Sequence, residues 1–309
     1  MKKSTETLLE KYQVRKTKKQ KQEFAAWLKS HCSAHGYTLR EEQYSESGNN
    51  LIVGDVQSAE LILAAHYDTP PNFGLPVMMG FSNWIFFSIS QIIMLVPMLL
   101  LYAVSFFFVL PFFGPGFFSA IPLLLMVVYA AQMMFGIANK HNANDNTSGV
   151  ATLVSILEEL PEEERKKVCI VFFDQEELGL VGSKKFYNKY QEIVKHKPLI
   201  NFDCVSDGST LTFVVKKKFQ NSKYFELLQK ASDESVKESK KINRFASAFW
   251  NIYPSDQLHF PCGVGVVAAK KAPLLGYYID RLHSACDTRF DNENIGLLTD
   301  TMLQFIRTV

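Results

Sequence analysis

Val168-Cys169-Ile170-Val171-Phe172-Phe173 runs directly into Asp174-Gln175-Glu176-Glu177-Leu178-Gly179, and this stretch decides the fold. Six apolar residues without alternation describe a strand covered on both faces, as in a parallel sheet flanked by helices. The acidic residues that follow are costly at a strand end unless a cation or a hydrogen-bond donor meets them. Working outward, residues 146–160 read as an amphipathic helix stopped by Pro161, and residues 180–194 as another. Residues 199–202 and 211–215 read as buried strands. Strands are expected at 50–56, 60–65, 263–268 and 276–278, and helices at 6–35, 222–236 and 292–309. The charged stretch 232–244 reads as a solvated helix face and loop. Alternating strands and helices of this kind predict an α/β domain, a three-layer αβα arrangement around a mostly parallel mixed sheet.

The chain has 309 residues, enough for one large domain. Its net charge of +2 gives no electrostatic case for a nucleic-acid partner. Five scattered cysteines form no C-x-x-C pair, which excludes a cysteine-ligated zinc site and a disulfide framework and suits reduced thiols. The basic start is followed by a polar, Lys-rich stretch rather than an apolar core, so no secretory signal is expected.

Two charge-free apolar runs interrupt the pattern, at 84–110 and 117–137, with a Pro/Gly-rich turn at 111–116 between them. Each is long enough to cross a hydrocarbon core of ~30 Å. They predict a transmembrane helical hairpin at 77–138, inserted between an N-terminal part of the domain (1–76) and its remainder (139–309). Buried core helices, or an apolar flap over the site or at a dimer interface, are the alternatives. Both flanks of a hairpin lie on one side of the bilayer, and Lys140 with the N-terminal Lys/Arg cluster places that side in the cytoplasm. The expected location is therefore the cell membrane, with residues 84–137 in contact with lipid.

Five polar clusters sit where an open α/β sheet binds ligands, near the carboxyl ends of its strands. They are His66-Tyr67-Asp68, Asn144-Asp145-Asn146, Asp174-Gln175-Glu176-Glu177, Asp203 after residues 199–202, and His283. Each has a plain structural reading, as a polar turn, a helix cap or a solvated acidic loop. Together His66, Asp145, Glu177, Asp203 and His283 supply two imidazoles and three carboxylates. That mixture suits zinc, and one carboxylate can bridge two ions. Co2+ or Mn2+ is admitted by the same donors.

The stretches AHYDTP, NANDNTSGVATL, VFFDQEELGLVGS, INFDCVSDG, YPSDQLHF and RLHSACDTRFDNENI occur in the order found in peptidase family M28. The chain resembles the aminopeptidase Y-type zinc enzymes of that family over residues 50–309, apart from the hairpin. The resemblance implies a zinc-exopeptidase fold and a two-zinc aminopeptidase acting on peptides. It implies that Asp145 bridges both metals, that His66 and Asp203 complete one site, and that Glu177 and His283 complete the other. Glu176 is then the general base acting on a metal-bridging water, and Asp68 orients His66. Asp256 and Asp287 support the site from further out. The hairpin departs from the family pattern, and its insertion between His66 and Asp145 implies a cleft that opens toward the membrane. Leu282 stands where some members have a hydrogen-bonding Tyr. A glutaminyl-cyclase-like single-zinc acyltransferase and a non-catalytic membrane scaffold on the same fold are the competing functions.

Overall fold

The computed structural model describes residues 1–108 and 110–309, and their side chains except at positions 101, 105, 110, 113, 117–119 and 122. Helices α1 (Lys3–Lys11) and α2 (Lys18–Ala34) precede strands β1 (Leu39–Gln43), β2 (Asn49–Val53), β3 (Leu61–His66) and β4 (Val77–Gly80). Helices α3 (Trp84–Phe108) and α4 (Leu110–Phe135) form the insertion. They are followed by α5 (Gly149–Glu159), β5 (Val168–Phe173), α6 (Val181–Val194), β6 (Leu199–Phe202) and β7 (Thr210–Val215). The chain ends with α7 (Lys217–Gln220), α8 (Tyr224–Val236), β8 (Ile242–Ser247), β9 (Gly263–Ala272), β10 (Gly276–Leu282) and α9 (Asn292–Thr308).

The strands form one mixed sheet in the order β1-β2-β5-β3-β6-β9-β10-β4, with β7 and β8 branching from β9. Its centre, β5-β3-β6-β9, is parallel. The outer pairings are antiparallel except for β7 with β8. The sheet is therefore mixed throughout rather than mostly parallel. Consecutive residues of β5 divide between the faces as period-2 geometry requires. Val168, Ile170 and Phe172 join α1, α2, α5, α8 and α9 in one core, while Cys169, Val171 and Phe173 join Phe186 and Val194 of α6 in the other. Burial on both faces is why the apolar run shows no alternation.

Two local expectations are corrected. The helix expected at 6–35 is broken at residues 12–17. Thr17 caps α2 in a reciprocal capping box with Gln20, which starts a new helix there. Just before it, Arg15 turns inward and is fully buried. Its guanidinium donates to the carbonyl oxygens of Tyr67 and Tyr12 and to Thr147 Oγ1 at 3.2 Å. The stretch read as a solvated face and loop at 232–244 ends in the strand β8, whose charged and polar residues suit an edge position.

The insertion leaves the sheet through β4 and returns beside its own start. Asn72 N–H donates to Ile137 O at 2.8 Å, and Asn139 N–H to Pro70 O at 3.0 Å. Helix α3 spans 25 residues without a charge and is long and apolar enough to cross a membrane. In α4, Gly114 is non-helical with φ 77°, inside the expected turn, and the helix continues after it to Phe135. Val109, part of the first apolar run, lies outside the described residues.

Arg15→Ala would leave buried carbonyls and a hydroxyl without donors, and is expected to cost about 3 kcal/mol in chemical denaturation of the detergent-purified protein. A second expectation concerns pH. Burial pushes Glu158 up, but His31, Ser4 and Lys2 outweigh it and hold its carboxyl at about 2, below the ordinary 4.5. A depressed carboxyl stabilises the fold above its unfolded value and loses that contribution as pH falls toward 2. Glu158→Gln should therefore flatten the stability profile in that window, as followed by circular dichroism.

Candidate metal centre

The polar residues at the carboxyl ends of the central strands converge. His66 is the last residue of β3, Asp203 follows β6, and His283 follows β10, which has an irregular register at Leu282 and a left-handed residue at Arg281. Glu176 and Glu177 follow β5, and Asp145 lies in a π-helical turn, Ala143–Ser148, just before α5. That turn can approach the sheet because Gly149 has no side chain; a Cβ there would meet Phe202 O at 2.3 Å. Gln175, Cys204 and His283 all have positive φ, a costly conformation for non-glycine residues that tertiary contacts must enforce.

Asp145 stands in the middle. Its Oδ1 is 3.5 Å from His66 Nε2, and its Oδ2 is 3.1 Å from His283 Nε2. His66 Nε2 is also 3.5 Å from Asp203 Oδ1, and His283 Nε2 is 3.6 Å from Glu177 Oε2. Three overlapping donor groups result among the described residues, His66/Asp145/Asp203, Asp145/Glu177/His283 and His66/Glu176/Glu177, each with ligand atoms within 4.8 Å of one another. Donors about 2.0–2.2 Å from a tetrahedral zinc ion lie roughly 3.4 Å apart, close to these separations. Asp203 Oδ1 and Glu177 Oε1 are buried without a hydrogen-bond partner among the described residues. Unpaired acceptors beside neutral or protonated imidazoles are what a cation would satisfy, so the donor set fits zinc.

The charge balance points the same way. Burial would raise Asp145, but its bonds to His283 and His66 override this and hold it well below the carboxylate range. Burial pushes Glu176 and Glu177 well above their ordinary value, and neighbouring carboxylates add to the effect. His66, despite burial, is raised by Glu176 and by its bonds to Asp145, Asp203 and Asp68. Metal ligands must be deprotonated, so a divalent cation among these groups would favour the ionised carboxylates and the neutral imidazoles.

The residues around the donors are equally constrained. Asp68 Oδ1 accepts from Glu176 N–H at 3.0 Å, and its Oδ2 from Glu177 N–H at 3.2 Å. His66 Nδ1 lies 3.1 Å from the Asp68 carbonyl and 3.6 Å from its carboxylate. Asp68 thus holds the imidazole with its backbone and the acidic loop with its side chain. Asp287 accepts from the N–H groups of Asn144 and Asp145 at 2.8 and 2.9 Å, and burial pushes its carboxyl up to about 8. Asp256 is fully buried, and burial pushes it up to about 7. Asn146 ties the turn to β6, donating to Phe202 O at 2.9 Å.

Every sequence-predicted site residue is in this cluster. Three contributors went unread. Arg15 reaches the site floor through Tyr67 and Thr147, Tyr253 Oη donates to Asp203 O at 3.0 Å, and Lys21 holds Asp174 at 2.8 Å. Lys21 and Arg15 sit in a basic stretch that gives no hint of burial. The cleft is also lined by Gln91 and Met94 of α3 and Met133 of α4, so it faces the insertion.

No sequence among the curated proteins matched the chain. Glutaminyl cyclase from Porphyromonas gingivalis superposes with a TM-score of 0.60 at 14% identity, covering 99% of this chain and 97% of that one. A Zn-dependent exopeptidase from Parabacteroides distasonis gives 0.59 at 15%, covering 96% and 92%. The LapA aminopeptidase of Legionella pneumophila gives 0.55 at 15%, covering 98% and 67%. At such identities the likeness establishes the fold, a mixed α/β zinc-exopeptidase architecture. The sequence profile of peptidase family M28 matches residues 131–306, more than half of the chain, and the chain belongs to that family.

Proposed function

We propose that the protein is a two-zinc aminopeptidase held in a membrane by its α3–α4 hairpin. The observation that carries the peptidase reading is the position of Asp145, whose two oxygens face two separate donor groups. Asp145 would bridge the ions, with His66 and Asp203 holding one and Glu177 and His283 the other. Zinc supplies a lowered pKa for coordinated water and a positive field for the substrate carbonyl.

The chain's own residues do the rest. Glu176 takes the proton of the attacking water and passes it to the leaving amine. Its buried, raised carboxyl has the proton affinity this shuttle needs. Asp68 fixes the backbone of Glu176 and Glu177 through two N–H bonds, so the base and its neighbouring donor keep a constant spacing. Asp287 does the same for the turn that carries Asp145.

A glutaminyl-cyclase-like reaction is the second reading, supported by a fold likeness that spans nearly all of both chains. The presence of two donor groups that share Asp145 supports the two-metal reading. Membrane attachment rests on α3 and its exposed apolar side chains, among them Ile85, Ile92, Leu99 and Phe107. An apolar surface of this extent is stable in lipid and unfavourable in water. The flanking positive charges then place the catalytic domain in the cytoplasm.

Metal analysis of detergent-purified protein should give about two zinc ions per chain, with release of N-terminal residues only from peptides bearing a free amine. One ion, with cyclisation of an N-terminal glutamine, would give the cyclase. Glu176→Gln should keep the metal and lower kcat by at least about 100-fold; near-normal turnover would remove its role as the base. Asp145→Ala should lose both ions, and a variant that kept two would rule out the bridge.

A further inference from the structure

Helix α3 presents two different faces. Ile92, Ile93 and Leu95 are exposed, whereas Gln91 and Met94, three residues apart on one side of the helix, look into the catalytic cleft. Met133, two residues before the end of α4, joins them. Met79 of β4 and Leu282 of β10 line the same space, a cleft of about 300 Å³. Among the described residues, the metal donors and Glu176 are the only titratable acids, bases or imidazoles lining it apart from Tyr253 and Cys204.

We propose that the hairpin is the specificity element of this site. Met94 and Met133 form the wall that receives the side chain next to the scissile bond. The wall accepts bulky apolar side chains and rejects charged ones. The assignment rests on the peptidase reading for the reaction, but the wall itself is defined by the helices. Three physical points carry it. A lysine or glutamate side chain buried there would lose its hydration and find no opposite charge on the hairpin side, where Gln91 offers only a neutral amide. Methionine is flexible and polarizable, so two of them facing one cavity adapt to leucine, methionine or phenylalanine alike. A glycine would leave the cavity unfilled and forfeit the contacts, a loss of the size that separates substrates differing by a few methylenes.

The test uses the zinc-loaded, detergent-purified full chain. Calorimetry would compare leucine, lysine and glycine hydroxamates, while hydrolysis of the corresponding N-terminal peptides is followed in parallel. The wild type should bind leucine hydroxamate at least about tenfold more tightly than the glycine and lysine compounds. Met94→Trp should abolish that preference, weakening leucine hydroxamate more than glycine hydroxamate, with zinc content retained. Met133→Ala only removes volume, so it keeps the test open if the tryptophan variant misfolds. It should shift preference from leucine toward phenylalanine. Equal affinity for all three hydroxamates in the wild type, or equal weakening of all three in Met94→Trp, would overturn the proposal. Selective binding without release of leucine from peptides would instead count against the peptidase reading and leave the hairpin wall standing.

Discussion

Crowding of carboxylates in a buried site is the constraint on which the rest depends. Asp68 after β3, Asp203 after β6, Asp145 before α5 and Asp256 before β9 are all buried, and their charges act on Glu176 and Glu177. Like charges this close in a low dielectric repel strongly, and protons or cations must offset them. The fold meets part of this demand with fixed dipoles. Asp68 and Asp287 each take two backbone N–H groups, and Asp174 takes Lys21. Among the described residues of the site, unpaired carboxylate oxygens remain on Asp203, Glu177 and Asp256.

The same constraint explains the rigidity around the centre. The acidic loop, the β6 end and the β10 end each pass through a left-handed residue at Gln175, Cys204 and His283. Such conformations persist only where surrounding contacts over-determine them. The donors are anchored to β3, β6 and β10 or to the turns next to them, and the hairpin root is tied to the same framework. Phe73 N–H donates to His283 O at 2.8 Å, and the two rings meet edge to face at 4.6 Å. β4, which leads into α3, pairs with β10, the strand that delivers His283.

Much of this was legible in the sequence, for identifiable reasons. β5 and β6 declare themselves because burial on both faces removes polar residues from them. The convergence of His66, Asp145, Glu176, Glu177, Asp203 and His283 is legible because each follows an apolar strand or precedes a helix, while their separate roles are implied only by the family resemblance. Arg15 was hidden because a buried guanidinium in a Lys-rich segment looks like one more solvated charge. β8 was hidden for a related reason: an edge strand keeps polar residues and carries no strong apolar pattern. The role of Met94 and Met133 depends on how two apolar helices are rotated about their axes. A uniformly apolar helix gives periodicity nothing to report.

The two donor groups that share Asp145 draw on positions 66 to 283, and the one that includes His283 is incomplete without the residue after β10. A growing chain therefore cannot bring these groups together until the last of the sheet's strands is in place. Assembly of the cluster is thus a late event of synthesis, after the apolar helices have been made, and a truncated product that keeps the hairpin but lacks β10 and the residues after it lacks the His283 donor.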